Sequence, residues 1–310
     1  MSRVDFEAIA SESREILLEV VSLLGLTLAV DKTPAPASSQ EVLGVSCSLE
    51  TSRRGLHLLL SLEDRKLQVW IKEAQQILLS ESVDLRRLTR LVGRLSFASW
   101  AIWRQVARSR LRAAYSFLLS GSESHRRRMV LDLEWWLSLL QRPLPAQAGV
   151  SSGLQDPVVV YTDAEGSSGL GAVLHTPSKT VWFQDHVPSA VSAALSSRRT
   201  QIFAYEVIAV WAATQRFSSQ LSGQHVVFFI DNKSALRSLL KGSSRASDVH
   251  LLVRRIWDLL RQHNIKPTFK WVPSKLNLSD LPSRGRPPVV GSMVPSSLTY
   301  SSLTEILSST

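Results

Sequence analysis

Two apolar runs in the C-terminal half of the chain stop on an acidic residue: PVVVYTD ends at Asp163 and HVVFFID ends at Asp231. Short runs rich in Val, Ile, Phe and Tyr and closed by polar turn residues read as strands. By the same reading GLGAVLHT, KTVWFQD and PTFKWVP are strands, while RRTQIFAYEVIAVWAATQRF, NKSALRSLLKG and DVHLLVRRIWDLLRQH have the three-and-four spacing of helices. The order is three strands, helix, strand, two helices, strand. It predicts an α/β region with a mixed five-stranded sheet, opened by a meander and flanked by helices.

Taken singly, the acidic residues have ordinary roles. Asp163 next to Gly and Ser can end a strand, and Asp280 in WVPSKLNLSDLPSR can cap a short helix. Glu206 is harder to place, because FAYEVIAVWAA is otherwise apolar and an unpaired carboxylate costs several kcal/mol to bury. If the two strands lie side by side, Asp163 and Asp231 emerge at one edge. Four carboxylates gathered there repel one another, and a hard divalent cation relieves that repulsion. With one cysteine, Cys47, and no His-x-x-x-His pair, the oxygen donors favour Mg²⁺ or Mn²⁺ over zinc. Two such ions suit an in-line phosphoryl displacement.

The ordered series TDAEGSSGLGAVL, AYEVIAVWA, FFIDNKSAL and LNLSDLPSR resembles the type 1 RNase H domain of retroelement reverse transcriptases, across residues 157–284. That resemblance implies an RNase H-like fold and an endoribonuclease that hydrolyses the RNA strand of RNA–DNA hybrids by a two-metal carboxylate mechanism. Asp163, Glu206, Asp231 and Asp280 would be the catalytic, metal-binding residues. Gly166, Gly169 and Gly171 would permit the tight hairpin and let backbone approach the substrate strand. Asn232 and Ser234, at a helix start, would meet a phosphate or cap the helix. Many members of the family carry a histidine before the last aspartate; this chain has only Lys275 as a charged group in that loop.

The first half reads differently. A helix over 7–28 ending near Gly25 is followed by the loop DKTPAPASSQ, then by the strands VLGVSCSL and GLHLLLSL joined through ETSRRG. From Glu63 to Gln141 the pattern is helical, with Leu85, Leu88, Leu91, Val92 and Leu95 on one face. DKTPAPASSQEVLGVSCSL resembles the end of a reverse-transcriptase palm, and LRRLTRLVGRLSFASWAIW the thumb and connection helices of such polymerases, particularly those of DIRS-type elements. No Asp-Asp dipeptide is present, so no polymerase activity is expected. The expected divisions are a palm-end, thumb and connection-like region at 1–141, a linker at 142–156, the RNase H-like domain at 157–286 and a flexible tail at 287–310. The chain reads as part of a larger polyprotein, whose remainder is an expected partner.

A formal charge of +10 favours a polyanionic partner, here the RNA–DNA hybrid. Arg86, Arg90 and Arg94 fall four apart, as do Arg104, Arg108 and Arg112, and Asp84 is the only acidic residue between 84 and 112. The two rows read as a track for phosphates or as a solvated helix face. Trp100 and Trp103 read as helix-packing core rather than base-stacking groups. Without a bilayer-spanning run or a secretory leader, the chain is expected to be soluble and intracellular, in nucleus or cytoplasm, with no membrane partner. Two alternatives share these features: a noncatalytic nucleic-acid-binding remnant, and an RNase H-fold nuclease that acts on DNA.

Overall fold

The computed structural model describes residues 3–27, 35–52, 55–142, 146–149, 158–295 and 298–308. Two units divide the chain: Met1–Leu67 with Pro143–Ser152, and Gln68–Arg142 with Gly153–Thr310.

In the first unit, helix α1 (Arg3–Leu23) is followed by Gly25 at φ 71°, the left-handed conformation that commonly ends a helix. Its amphipathic pattern does not mark a buried face, since Ile16, Leu17 and Val20 are all exposed. Strands β1 (Ser39–Val42), β2 (Val45–Ser52), β3 (Gly55–Leu62) and β4 (Ala146–Gly149) form an antiparallel sheet in that order. The expected hairpin is β2 with β3, in register from Val45 opposite Leu62 to Ser52 opposite Gly55. Strand β1 joins through Leu43 and Gly44, whose φ of 51° and 80° make the two-residue turn that matches strand twist. Strand β4 comes from the stretch read as linker; the rest of that stretch, apart from Arg142, lies outside the described residues, as do residues 31–34 of the proline-rich loop and 53–54 of the turn.

Helix α2 (Asp64–Leu79) begins in the first unit and leads into the second, where α3 (Leu85–Ala98), α4 (Arg104–Arg108), α5 (Arg112–Ser120) and α6 (Glu123–Gln141) follow. Leu88, Leu91, Val92 and Leu95 are buried on α3 as their spacing requires, and Asp84 caps it by accepting from the backbone N–H groups of Arg86 and Arg87; Leu85, at the first turn, is exposed. Beyond α3 the helix widens into a π turn at Ser99–Trp103 and breaks at Arg104, which sits at φ 48°. A 3-10 turn at Ser109–Leu111 then separates α4, which carries Arg104 and Arg108, from α5, which starts at Arg112, so the three arginines do not share one continuous α-helix.

Strands β5 (Val158–Ala164), β6 (Gly169–His175) and β7 (Thr180–His186) form the meander. Then come α7 (Ser189–Ala194), α8 (Ile202–Arg216), α9 (Ser218–Leu221), β8 (His225–Ile230), α10 (Lys233–Lys241), α11 (Ser247–Gln262), β9 (Lys266–Trp271), α12 (Asp280–Ser283), β10 (Ser292–Met293) and α13 (Ser301–Ser308). The sheet is mixed and six-stranded, in the order β10-β7-β6-β5-β8-β9. Its sixth strand corrects the expected five. Residues 287–310 are not merely a loose tail: β10 pairs with β7 at Val181 and Trp182, and Leu303 and Leu307 of α13 are buried in the core. Tyr300 is buried beside Trp211 as well, and Val294 and Leu298 pack against the same core; the serine-rich sequence hides that docking because these apolar side chains are scattered among polar residues. Each fully buried leucine contributes about 1.5–3 kcal/mol. Val160, Phe183, Trp211, Phe217 and Phe228 fill the centre of the same core.

Candidate functional site

Strand β5 lies between β6, antiparallel, and β8, parallel. The parallel register sets Thr162 opposite Ile230, so the next residues along each strand are Asp163 and Asp231. Helix α8 packs against β5 and brings Glu206 to the same place. One carboxylate oxygen from each of Asp163, Glu206 and Asp231 lies within 4.8 Å of the others. Asp280 is outside that group. It opens α12, half-buried, and its Oδ1 accepts from Arg284 Nε at 3.1 Å and Nη2 at 3.0 Å.

Charge crowding dominates the electrostatics. Glu206 is 3% exposed, and its Oε2 makes no hydrogen bond. Burial, then the charges of Asp163 and Asp231, push its carboxyl up to about 10, with the Ala164 backbone pulling weakly the other way. Burial likewise raises Asp163 to about 7; the Ser283 hydroxyl and Arg284 oppose the shift, while Asp231 and Asp280 reinforce it. Three carboxyl groups held this close do not all ionise at neutral pH unless a cation joins them. The orphaned Glu206 oxygen and the all-oxygen donor set fit a hard divalent ion.

A second set of polar residues, missed in the sequence, holds Asp163 in place. Ser283 Oγ donates to Asp163 Oδ2, and Asn277 Nδ2 donates to Thr162 O at 3.0 Å and to Asp163 Oδ1 at 3.3 Å. Ser279 Oγ donates in turn to Asn277 Oδ1 at 2.7 Å. All three side chains are buried, where unpaired polar groups are costly. Three polar residues in LNLSDLPS were the available signal; without a partner, each reads as turn chemistry. Two glycines admit this segment. A Cβ on Gly171 would stand 2.7 Å from Ser279 O and collide with the Ser283 backbone, and one on Gly169 would meet Ser283 O. Gly169 and Gly171 therefore serve the approach of the chain's own 279–283 segment, not that of an external strand. Open space surrounds Gly166.

Asn232 caps α10, its Oδ1 accepting from Ser234 N at 3.0 Å and Ala235 N at 3.1 Å, so the capping alternative describes its carboxamide oxygen. Ser234 is exposed on the first turn. Trp271 Nε1 donates to Asp231 O at 2.9 Å, and the Lys233 ammonium lies 4.9 Å from that indole ring, fixing the chain just after β8. Lys275 is exposed in the loop before Asp280.

The arginine rows are neutralised more than their sequence suggests. Glu73 of α2 lies 2.5 Å from Arg94 Nη1 and 3.8 Å from Arg90 Nε. Arg112 donates to the carbonyl oxygens of Ser244 and Arg245. Arg86, Arg104 and Arg108 are exposed. Trp103 packs edge-on against buried Trp136 with ring centres 5.8 Å apart, whereas Trp100 is 76% exposed and is not core.

No family model matches this chain, and no curated protein matches it. Among solved structures, the N-terminal RNase H domain of a Mycobacterium tuberculosis protein, solved as a fusion with maltose-binding protein, is similar at 15% identity and a TM-score of 0.30; the match covers 42% of this chain and 91% of that one. An RNase H1 isolated from compost by a metagenomic approach is similar at 14% identity and a TM-score of 0.29, over 39% of this chain and 88% of its own.

Proposed function

We propose that the second unit is a divalent-metal-dependent nuclease of the RNase H type, hydrolysing the RNA strand of RNA–DNA hybrids within a protein related to reverse transcriptases. The single observation that carries this reading is the meeting of Asp163, Glu206 and Asp231 within 4.8 Å, with a Glu206 oxygen left without a hydrogen bond. These three would hold Mg²⁺ or Mn²⁺, and Asp280 would join after exchanging Arg284 for the cation. A pair of such ions supplies positive charge to the phosphoryl group in flight and acidifies water.

The protein's own groups do the rest. Asn277 and Ser283 fix the Asp163 carboxylate, so its oxygens need not reorganise when charge arrives. Glu206, protonated at neutral pH while no cation is present, gives up that proton on loading. Attack of water on phosphorus breaks the bond to the 3′-oxygen and leaves a 5′-phosphate and a 3′-hydroxyl. Selection of RNA rests on its 2′-hydroxyl. Arg86, Arg104 and Arg108 remain candidates for backbone phosphate contacts, alongside Gly166, Asn232 and Ser234.

The test incubates the protein with a labelled RNA–DNA hybrid, single-stranded RNA or duplex DNA, each with Mg²⁺, Mn²⁺ or chelator. Hybrid-only cleavage, lost in Asp231→Asn, is the expected result. Binding without cutting would favour the noncatalytic alternative, and DNA cutting the DNA nuclease.

A further inference from the structure

Away from the carboxylates, the helices α5, α6 and α11 border a cavity of about 330 Å³. Five arginines line it, at 110, 112, 128, 254 and 255, against two aspartates, Asp132 and Asp258. Both aspartates are already engaged. Asp132 lies 2.9 Å from Arg254 Nη1 and 3.7 Å from Arg110 Nη1, and Arg110 Nη2 reaches Asp258 at 2.6 Å. The wall thus carries three more cations than anions.

Within that excess, Arg112 and Arg255 are poorly compensated. Arg112 spends its donors on two neutral carbonyl groups, and burial together with neighbouring Arg128 makes its charged form less favourable than usual. Two nitrogens of the wall, His250 Nδ1 and Arg255 Nε, are buried without a hydrogen bond. His250 is 7% exposed, and burial with Arg112 and Arg110 holds its ring neutral, down at about 4. A concave, partly desolvated wall of guanidinium groups concentrates positive potential, and the planar fork of arginine matches phosphate oxygens in pairs. The cavity volume suits a group of nucleotide size.

We propose that this cavity is a phosphate-binding site, separate from the carboxylate centre, in which Arg112, Arg128 and Arg255 grip the phosphate beside His250. The phosphate belongs either to a nucleic-acid backbone or to a small phosphate compound. The inference stands whether or not the carboxylates cut RNA.

Binding is measured in EDTA, so that no divalent ion bridges phosphate to the carboxylates. The probes are inorganic tripolyphosphate and a short RNA–DNA hybrid, followed by calorimetry and by the ring resonances of His250. Saturable tripolyphosphate binding that moves the His250 signals and weakens about tenfold or more in Arg128→Gln/Arg255→Gln supports the site with a small phosphate as occupant. Hybrid affinity that falls in the double variant, with a shallower salt dependence, supports it with a backbone phosphate. Identical affinities for both probes in native and variant protein, or unmoved His250 signals at saturation, would overturn it. Circular dichroism establishes that the variants fold; if Arg255→Gln does not, Arg128→Gln alone carries the comparison, since Arg128 is exposed.

Discussion

Replacing Glu206 by glutamine should stabilise the metal-free protein, and by more at high pH than at low. The Glu206 carboxyl is held at about 10 in the folded protein against an ordinary value of 4.5. Because the folded state keeps the proton more tightly, folding loses stability as pH rises from the unfolded value towards the folded one. Below 4.5 the penalty is absent, and above it the penalty grows by about 1.4 kcal/mol per pH unit. It therefore amounts to about 1 kcal/mol at pH 5 and about 5 kcal/mol at pH 8. Glutamine has nearly the same shape and no proton to lose, so the penalty vanishes. In EDTA the gain in the variant should be about 4 kcal/mol larger at pH 8 than at pH 5, or roughly 10 °C in melting temperature. Excess Mg²⁺ should erase most of that gain, because a cation in the native protein replaces the proton. The assay is thermal and urea unfolding of both proteins at the two pH values, with EDTA or Mg²⁺. A gain that is equal at pH 5 and pH 8, or a variant less stable than the native protein at pH 8 in EDTA, would refute the reasoning.

Gly171→Ala should cost about 2–4 kcal/mol in urea unfolding, because its Cβ strikes the Ser279 and Ser283 backbone and no flexible side chain can yield. Asn277→Ala removes the donor shared by Thr162 O and Asp163 Oδ1; a stability loss of about 1–3 kcal/mol and a fall in turnover, both measured, are expected. Arg90→Ala/Arg94→Ala should destabilise the protein by about 1–3 kcal/mol by leaving buried Glu73 unpaired. Arg86→Ala/Arg108→Ala should leave stability within about 0.5 kcal/mol and flatten the salt dependence of hybrid affinity; an unchanged slope would remove these two from any phosphate track.

Local pattern sufficed for the strands that end at Asp163 and Asp231 and for the helix that carries Glu206, because periodicity and turn residues are properties of neighbouring positions. It also supplied the prospect that those carboxylates meet. The pairing itself is a tertiary fact: β5 and β8 lie side by side and parallel, in the register that sets Thr162 beside Ile230. The same holds for each group whose partner lies far along the chain. Ser283 reaches Asp163 across 120 residues, Gly171 accepts the 279–283 backbone, and Tyr300 donates to Asp185 across 115 residues. Glu73 neutralises Arg94 from a different helix, so counting charges within one segment overstated its exposed charge. Asp280 kept its place in the sequence motif, yet the fold gives its carboxylate to Arg284. Sequence spacing records which side chains an element offers; which of them meet is fixed only when the sheet closes and burial makes every unpaired polar group costly.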